Sequence, residues 1–194
     1  MLIRNADWEN WQTLMSVEQI NKKIEKIAIP RPGHADLVGV SKYNFDDIRN
    51  SIERSSARET AARVAAGSIA KKLLEEFGIS IGSFVESIGR IYPEKNFSEK
   101  LFNNSITSNF TAQSISEKSD KSSVRVLESE QEEKILRKIK SAKKIGDTLG
   151  GTFIIVATGV PVCLGSFMNY DTKFDADIAH SIMSINAVKA VEIG

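Results

Sequence analysis

The clearest hydrophobic pattern in the chain lies within residues 57–77. Apolar side chains recur there at three- and four-residue spacing, as on one face of an α-helix: Ala61, Val64, Ala65, Ile69, Leu73 and Leu74. Ser56 and Glu59 have the spacing of a capping box, in which each side chain accepts a hydrogen bond from the other residue's backbone amide. Gly78 is suited to end a helix. We therefore predict a helix over 57–77, and the small Gly67 predicts the close approach of a neighbouring element.

Three further segments also have helical spacing. In 17–29, isoleucines three or four residues apart precede two prolines, which predicts a short amphipathic helix that ends there. In 129–145, the sequence SEQE forms a second capping-box pattern before an apolar stripe, which predicts another helix. A last helix is predicted over 175–188, where isoleucines again recur on one face.

The remaining segments have the character of strands or polar loops. Residues 79–91 are rich in β-branched side chains that partly alternate with polar ones, which predicts a strand. Residues 152–158 predict a central strand. Residues 92–127 are rich in Ser, Asn and Lys and predict a polar insertion or mobile surface segment. The length allows one large domain or two small ones, and we expect a single, incomplete domain over 1–194.

Composition and charge exclude several classes of protein. The 194 residues include 26 Lys and Arg against 25 Asp and Glu, a net charge of +1, so the strongly basic surface of a general nucleic-acid binder is not expected. One cysteine, Cys163, excludes an internal disulfide and a multi-cysteine zinc site, and no metal site is predicted. No apolar run reaches the roughly 18 residues that span a bilayer. We expect a soluble, cytoplasmic protein without membrane or nucleic-acid partners.

Candidate binding chemistry lies in a loop shaped by Pro and Gly, residues 30–36, and at the start of the long predicted helix. Arg31, Arg54 and Arg58 carry guanidinium groups, which bind carboxylates and phosphates through two parallel hydrogen bonds. Free backbone amides and the positive end of the helix dipole add to the attraction for anions. The residues alone leave a simpler alternative open, in which Ser56 caps a helix and the arginines are solvated.

Two other polar residues are candidates with equally plain alternatives. His34, in the same loop as Arg31, could give or take a proton near neutral pH, or it could hydrogen-bond to the backbone. Asn186, read from the residues alone, is a polar break after an apolar helix face.

Five ordered motifs resemble the chorismate synthase family. They are RPGHAD at 31–36, ERSSARETAARVAAG at 53–67, GDTLGG at 146–151, TGVP with a following LG at 158–165, and DADIAH continuing to MSINAVKAVEIG at 175–194. The resemblance covers the chain except the polar segment 92–127. Because the motifs are long and occur in the same order, they are far more specific than any short pattern among them.

The resemblance implies a fold, a reaction and a cofactor. The fold would be α+β, a β-α-β sandwich with helices packed between antiparallel sheets. The reaction would be that of a phosphate lyase in the shikimate pathway of aromatic amino acid biosynthesis, the 1,4-elimination of phosphate from 5-enolpyruvylshikimate 3-phosphate to give chorismate. It would require reduced FMN, with NADPH as a possible reductant, and the intact enzyme would be a homotetramer.

The resemblance also implies roles for individual residues. His34 corresponds to a catalytic acid near the reduced flavin, and Arg31 and Arg58 to contacts with the substrate phosphate. The cofactor contacts would be Arg54, Ser55, Ser56, Asn186 and Ala187.

Family members carry an N-terminal Gly-Glu-Ser-His-Gly-type segment with another catalytic histidine, and they continue well past the last motif seen here. We therefore expect this chain to correspond to the central part of the enzyme. A second hypothesis is a non-catalytic module that holds FMN or a phosphate ester at the start of the long helix. A third is a truncated product that does not fold stably.

Overall fold

The fold was analysed in a computed structural model, which describes residues 2–14, 16–18, 24–55, 57–94 and 111–194. For residues 57 and 58 it describes the backbone alone. The chain divides into two compact units, Met1–Val64 with Ile182–Val191 and Ala65–Ser181 with Glu192–Gly194. The single domain expected over 1–194 stays a prediction.

Four helices begin in the first unit. They are α1 (Trp8–Trp11), α2 (Asp36–Tyr43), α3 (Arg49–Ser55) and the first turns of α4 (Ala57–Glu76). Helices α2 and α3 are neighbours, and the lack of a side chain at Gly39 lets α2 approach Ser51 of α3: a Cβ at Gly39 would lie 2.1 Å from the Ser51 Oγ.

The helix predicted over 17–29 is not found where the structure describes that range. Residues 24–30 have no helical backbone, and residues 19–23 lie outside the described residues. Instead, the Ile27 carbonyl accepts a 3.0 Å hydrogen bond from the Ile48 amide, and the Glu25 carbonyl accepts one of 2.9 Å from the Arg49 guanidinium. Tertiary partners therefore satisfy these carbonyls in place of a helical ladder.

The helix predicted over 57–77 from its apolar repeat is confirmed as α4. It ends in a Schellman arrangement, in which Gly78 has a φ of +74° and the Ile79 amide donates to the Leu74 carbonyl at 3.0 Å. The predicted close approach at Gly67 is wrong, because a Cβ placed there would have no atom within 4 Å. The capping partner Ser56 lies outside the described residues, so that capping box stays a prediction.

The second unit is built on an antiparallel pair of strands, β1 (Ser80–Ile88) and β2 (Gly151–Thr158). Both predicted strands are confirmed, but in the described part of the chain β2 pairs with β1 alone, so its predicted central position is not met. The register shifts between Val85 and Ser87, the mark of a bulge. One face of the pair carries the core residue Phe84, while Phe153 on β2 is exposed.

Helix α5 (Ala112–Ser119) covers that core face of the strands. Its Ile115 packs with Phe84, and Gly82 on β1 leaves room for the helix, since a Cβ there would lie 2.0 Å from the Ala112 carbonyl oxygen. The polar, mobile segment predicted over 92–127 is therefore wrong for 112–119. Few apolar residues lie there, but Ala112 and Ile115 are buried, together with the small polar Ser119. Residues 95–110 lie outside the described residues.

Helix α6 (Ser129–Ile145) confirms the third predicted helix, although its capping box is wrong. The helix begins after Glu128 without a side-chain cap. The Glu132 carboxylate, expected to turn back to residue 129, accepts hydrogen bonds from the Ser123 amide at 2.8 Å and from the Ser123 hydroxyl. A tertiary contact thus takes the group that the local motif would have used.

The last helix, α7 (Phe174–Met183), is shorter than the predicted 175–188. Beyond it the Ile185 amide donates to the Ile182 carbonyl and the Val188 amide to the Ile185 carbonyl, at 3.0 and 3.2 Å. The chain therefore turns where the apolar repeat suggested more helix. Within the described residues, no helix is long and apolar enough to cross a membrane.

Two glycine-to-alanine changes test the packing of these helices. We expect Gly67→Ala to stabilise the chain by about 0.5–1 kcal/mol, because the site is open and alanine favours the helix. Gly39→Ala is expected to destabilise it by about 1–3 kcal/mol through overlap with Ser51. Urea unfolding measures both, and Ser51→Gly should restore stability to the Gly39→Ala chain. Equal effects of the two alanines would contradict the described packing.

Candidate functional site

The loop over residues 30–36 is fixed by one ion pair. Asp36, the first residue of α2, is fully buried. Its carboxylate accepts hydrogen bonds from the backbone amide, Nε and Nη2 of Arg31 at 3.0, 2.8 and 2.9 Å. Gly33, with a φ of +74°, supplies the left-handed backbone that turns the loop back. The predicted shaped loop is therefore confirmed, and Asp36 explains its shape.

This pairing also sets the electrostatics of the loop. The hydrogen bonds from the Arg31 side chain lower the pKa of Asp36 to about 2, with smaller contributions from the Arg31 amide and from the charges of Arg31 and His34. The same hydrogen bond raises the pKa of Arg31. Arg31 keeps 44% of its side chain exposed, so its outer N–H groups can still meet an anion. His34 is exposed beside it.

Helix α3 borders an open groove. Arg54 is exposed and lines this groove, which has a volume of about 670 Å³. Its other lining residues are Tyr43, Phe45, Asn50, Ser51 and Glu53. The rings of Tyr43 and Phe45 stack with centroids 5.6 Å apart. The groove thus combines an aromatic surface with a cation, a pairing suited to a planar aromatic ligand that carries a negative charge.

Ser55, the last residue of α3, already uses its hydroxyl proton within the helix. The Ser55 hydroxyl donates to the Ser51 carbonyl at 2.7 Å, so its proton is engaged within α3, and its oxygen remains as an acceptor. Ser56 and the side chain of Arg58 lie outside the described residues. Their predicted roles with cofactor and substrate stay predictions.

The turn after α7 holds the remaining predicted residues. Asn186 and Ala187 are its central pair, both exposed, and Ala187 has a φ of +69°, a left-handed conformation unusual for alanine. Ser184, just before the turn, accepts a 2.8 Å hydrogen bond from the Arg63 guanidinium of α4.

The predicted site residues that the structure describes all fall in the first unit: Arg31, His34, Arg54, Ser55, Asn186 and Ala187. The sequence reasoning missed Asp36, the aromatic pair and Arg63. Two of these left a signal, since Asp36 closes the RPGHAD motif and Arg63 stands four residues after Glu59, at ion-pair spacing.

A second groove lies in the second unit and contains none of the predicted residues. It has a volume of about 540 Å³ and is lined by Arg90, Lys138, residues 147–151 of the GDTLGG motif and Thr152, among others. Across the described ranges, no three His, Cys, Asp or Glu side chains are grouped so as to hold a metal ion.

Comparison with known proteins identifies the family. The family model of chorismate synthase matches residues 1–194. This chain belongs to the chorismate synthase family. Over 197 aligned positions it is 50% identical to the chorismate synthase of Chlorobaculum tepidum and 47% identical to that of Listeria welshimeri, covering all of this chain and 48% of each relative. The match to Enterococcus faecalis chorismate synthase is 46% identical with the same coverage.

A solved structure described as "Crystal Structure of Chorismate Synthase" resembles this chain with a TM-score of 0.73 and 47% sequence identity. The match covers 82% of this chain and 47% of that one. The predicted chorismate synthase type of α+β fold is therefore confirmed. The chain spans about half the length of the curated relatives that it matches.

The depressed pKa of Asp36 predicts a dependence of stability on pH. Because the folded pKa lies near 2 and the ordinary value is 3.8, the ionised carboxylate stabilises the fold above about pH 4, and this contribution is lost as the pH falls towards 2. We expect Asp36→Asn to lower the melting midpoint near neutral pH and to flatten its fall in acid. The control Asp171→Asn removes an exposed carboxylate. Parallel pH profiles for Asp36→Asn and the unchanged chain would contradict the role of the pair.

Proposed function

We propose that this chain provides part of the FMN and substrate site of a chorismate synthase. The reaction is the 1,4-elimination of phosphate from 5-enolpyruvylshikimate 3-phosphate, a carbon–oxygen lyase step in aromatic amino acid biosynthesis. The observation that carries the proposal is family membership over all 194 residues. Reduction of FMN by NADPH and the homotetramer remain expectations from the same resemblance, and the cytoplasmic location remains an expectation from the sequence.

The donor set of the first unit fits FMN. The Arg54 groove is within the size range of small-molecule sites, and its aromatic surface and guanidinium match a flat ring system that carries a phosphate. The Ala187 backbone and the Asn186 side chain are exposed and supply further hydrogen-bonding groups. When bound, reduced FMN supplies electron density to the carbon centre that loses phosphate.

Arg31, His34 and Arg58 have the proposed roles in phosphate binding and proton transfer. Arg31 is oriented by Asp36, so its outer N–H groups are held in place to neutralise the leaving phosphate rather than ordered at the moment of reaction. His34, exposed on the turn beside this guanidinium, takes the role of catalytic acid near the reduced flavin that the resemblance implies. Arg58 is assigned to the same phosphate by the resemblance alone.

The second candidate function is a module that binds FMN or a phosphate ester without turnover. It rests on the same groove, in which Arg54 lies with the stacked rings of Tyr43 and Phe45. The two candidates share the FMN site and differ in turnover.

Binding of FMN tests both candidates. We expect FMN to raise the melting midpoint of the chain by mass action and to change its own fluorescence on binding. Arg54→Ala should weaken the affinity about 10-fold or more, since a charged hydrogen bond is lost. Arg137→Ala on α6, an equal change of charge at a residue 73% exposed, is the matched control. No midpoint shift at millimolar FMN would contradict the proposal.

Turnover separates the lyase from the binding module. With reduced FMN under anaerobic conditions, a lyase releases phosphate from 5-enolpyruvylshikimate 3-phosphate. His34→Ala should then lower the rate by about 100-fold while FMN affinity stays unchanged, because proton transfer typically contributes that much. Rates near those of the unchanged chain would remove His34 from the mechanism. FMN binding without phosphate release supports the module.

A further inference from the structure

The turn that presents Asn186 and Ala187 contains an alanine in a backbone conformation that alanine disfavours. It spans residues 185–188, closed by the Val188 amide to the Ile185 carbonyl at 3.2 Å. Ala187 stands at the third position with a φ of +69°, as in a type II turn, where glycine is the favoured residue. A left-handed alanine persists only where contacts from outside the turn hold it.

One such contact comes from α4. The Arg63 Nη1 donates to the Ser184 Oγ at 2.8 Å, although the two residues are 121 positions apart in the chain. Ser184 directly precedes the turn. The contact therefore ties the turn to a helix that its local sequence could not specify.

The guanidinium is itself held in place. Its Nε donates to the Glu59 Oε1 at 2.7 Å, one helical turn earlier on α4. Both side chains are partly shielded, with 41% of Arg63 and 29% of Glu59 exposed, so solvent screens the pair less than at an open surface. The planar group, bound through two of its nitrogens, has one orientation relative to the helix axis.

The same helix begins next to the proposed flavin contacts of residues 54–56. Arg63 lies six residues after the first residue of α4, about 9 Å along its axis. Helix α4 thus follows one proposed flavin-binding segment in the chain and contacts the residue before the other, Asn186–Ala187, through Arg63 and Ser184.

We propose that Arg63 is a positioning residue that holds the 185–188 turn through Ser184, so that Asn186 and Ala187 meet FMN. This inference rests on the proposed function for the identity of the ligand, whereas the hold on the turn can be measured without any ligand. Arg63 is not assigned a contact with FMN or substrate.

A mutant cycle on FMN affinity tests the proposal. Arg63→Ala and Ser184→Ala should each raise the Kd for FMN about 5-fold, the size expected for one hydrogen bond. The double variant should bind no more weakly than either single one, because both remove the same contact. Ser184→Thr keeps the hydroxyl and should bind FMN as tightly as the unmodified chain. Arg137→Ala, which breaks an exposed i,i+4 pair with Glu133, should change nothing.

Hydrogen exchange of the Val188 amide is the second readout, made on the full chain without FMN. Arg63→Ala and Ser184→Ala should each speed this exchange about 5-fold, with no change in Arg137→Ala. Additive effects in the FMN cycle, or unchanged exchange at Val188, overturn the inference. If the unmodified chain fails to bind FMN, the proposed function falls, and the exchange rates alone decide whether Arg63 holds the turn.

Discussion

The shape of the candidate site depends on one buried charge, the Asp36 carboxylate. The Asp36 carboxylate is fully buried, and a buried charge is tolerated only when its oxygens are hydrogen-bonded and its charge is paired. Arg31 meets both needs through its backbone and its side chain. Because Asp36 is also the first residue of α2, this single pair fixes the loop, the start of the helix and the position of His34 together.

The described candidate residues and the Phe84–Ile115 core lie in different units of the chain. The first holds the described candidate residues on short helices, loops and turns, which are held by polar contacts such as Arg31–Asp36 and Arg63–Ser184. The second contains the β1–β2 pair with α5 packed on it, where Phe84 and Ile115 form an apolar core. A binding site that depends on polar contacts is sensitive to single substitutions, because each lost partner leaves another group unsatisfied.

Local sequence patterns predicted most of the regular elements. They did not predict how helix ends are capped or which residues pack around a helix. The repeat in α4 and the Gly78 stop were evident because a helix needs only its own apolar spacing and a residue that accepts positive φ. Glu132 failed as a cap because Ser123, nine residues earlier, offers its carboxylate a better partner. Gly67 failed as a packing site because helical spacing says which residues share a face, but not whether anything covers that face.

Patterns within the sequence were enough to predict the long helices, the two strands, the shaped loop and, through five ordered motifs, the family. These depend on short-range spacing or on residues that are identifiable one by one. The folded chain was needed to show that Asp36 is buried and paired with Arg31, that residues 112–119 pack on β1, and that Arg63 contacts Ser184. Such contacts join residues brought together by the whole fold, and the free energy that favours them comes from burial and from partners that no local pattern contains.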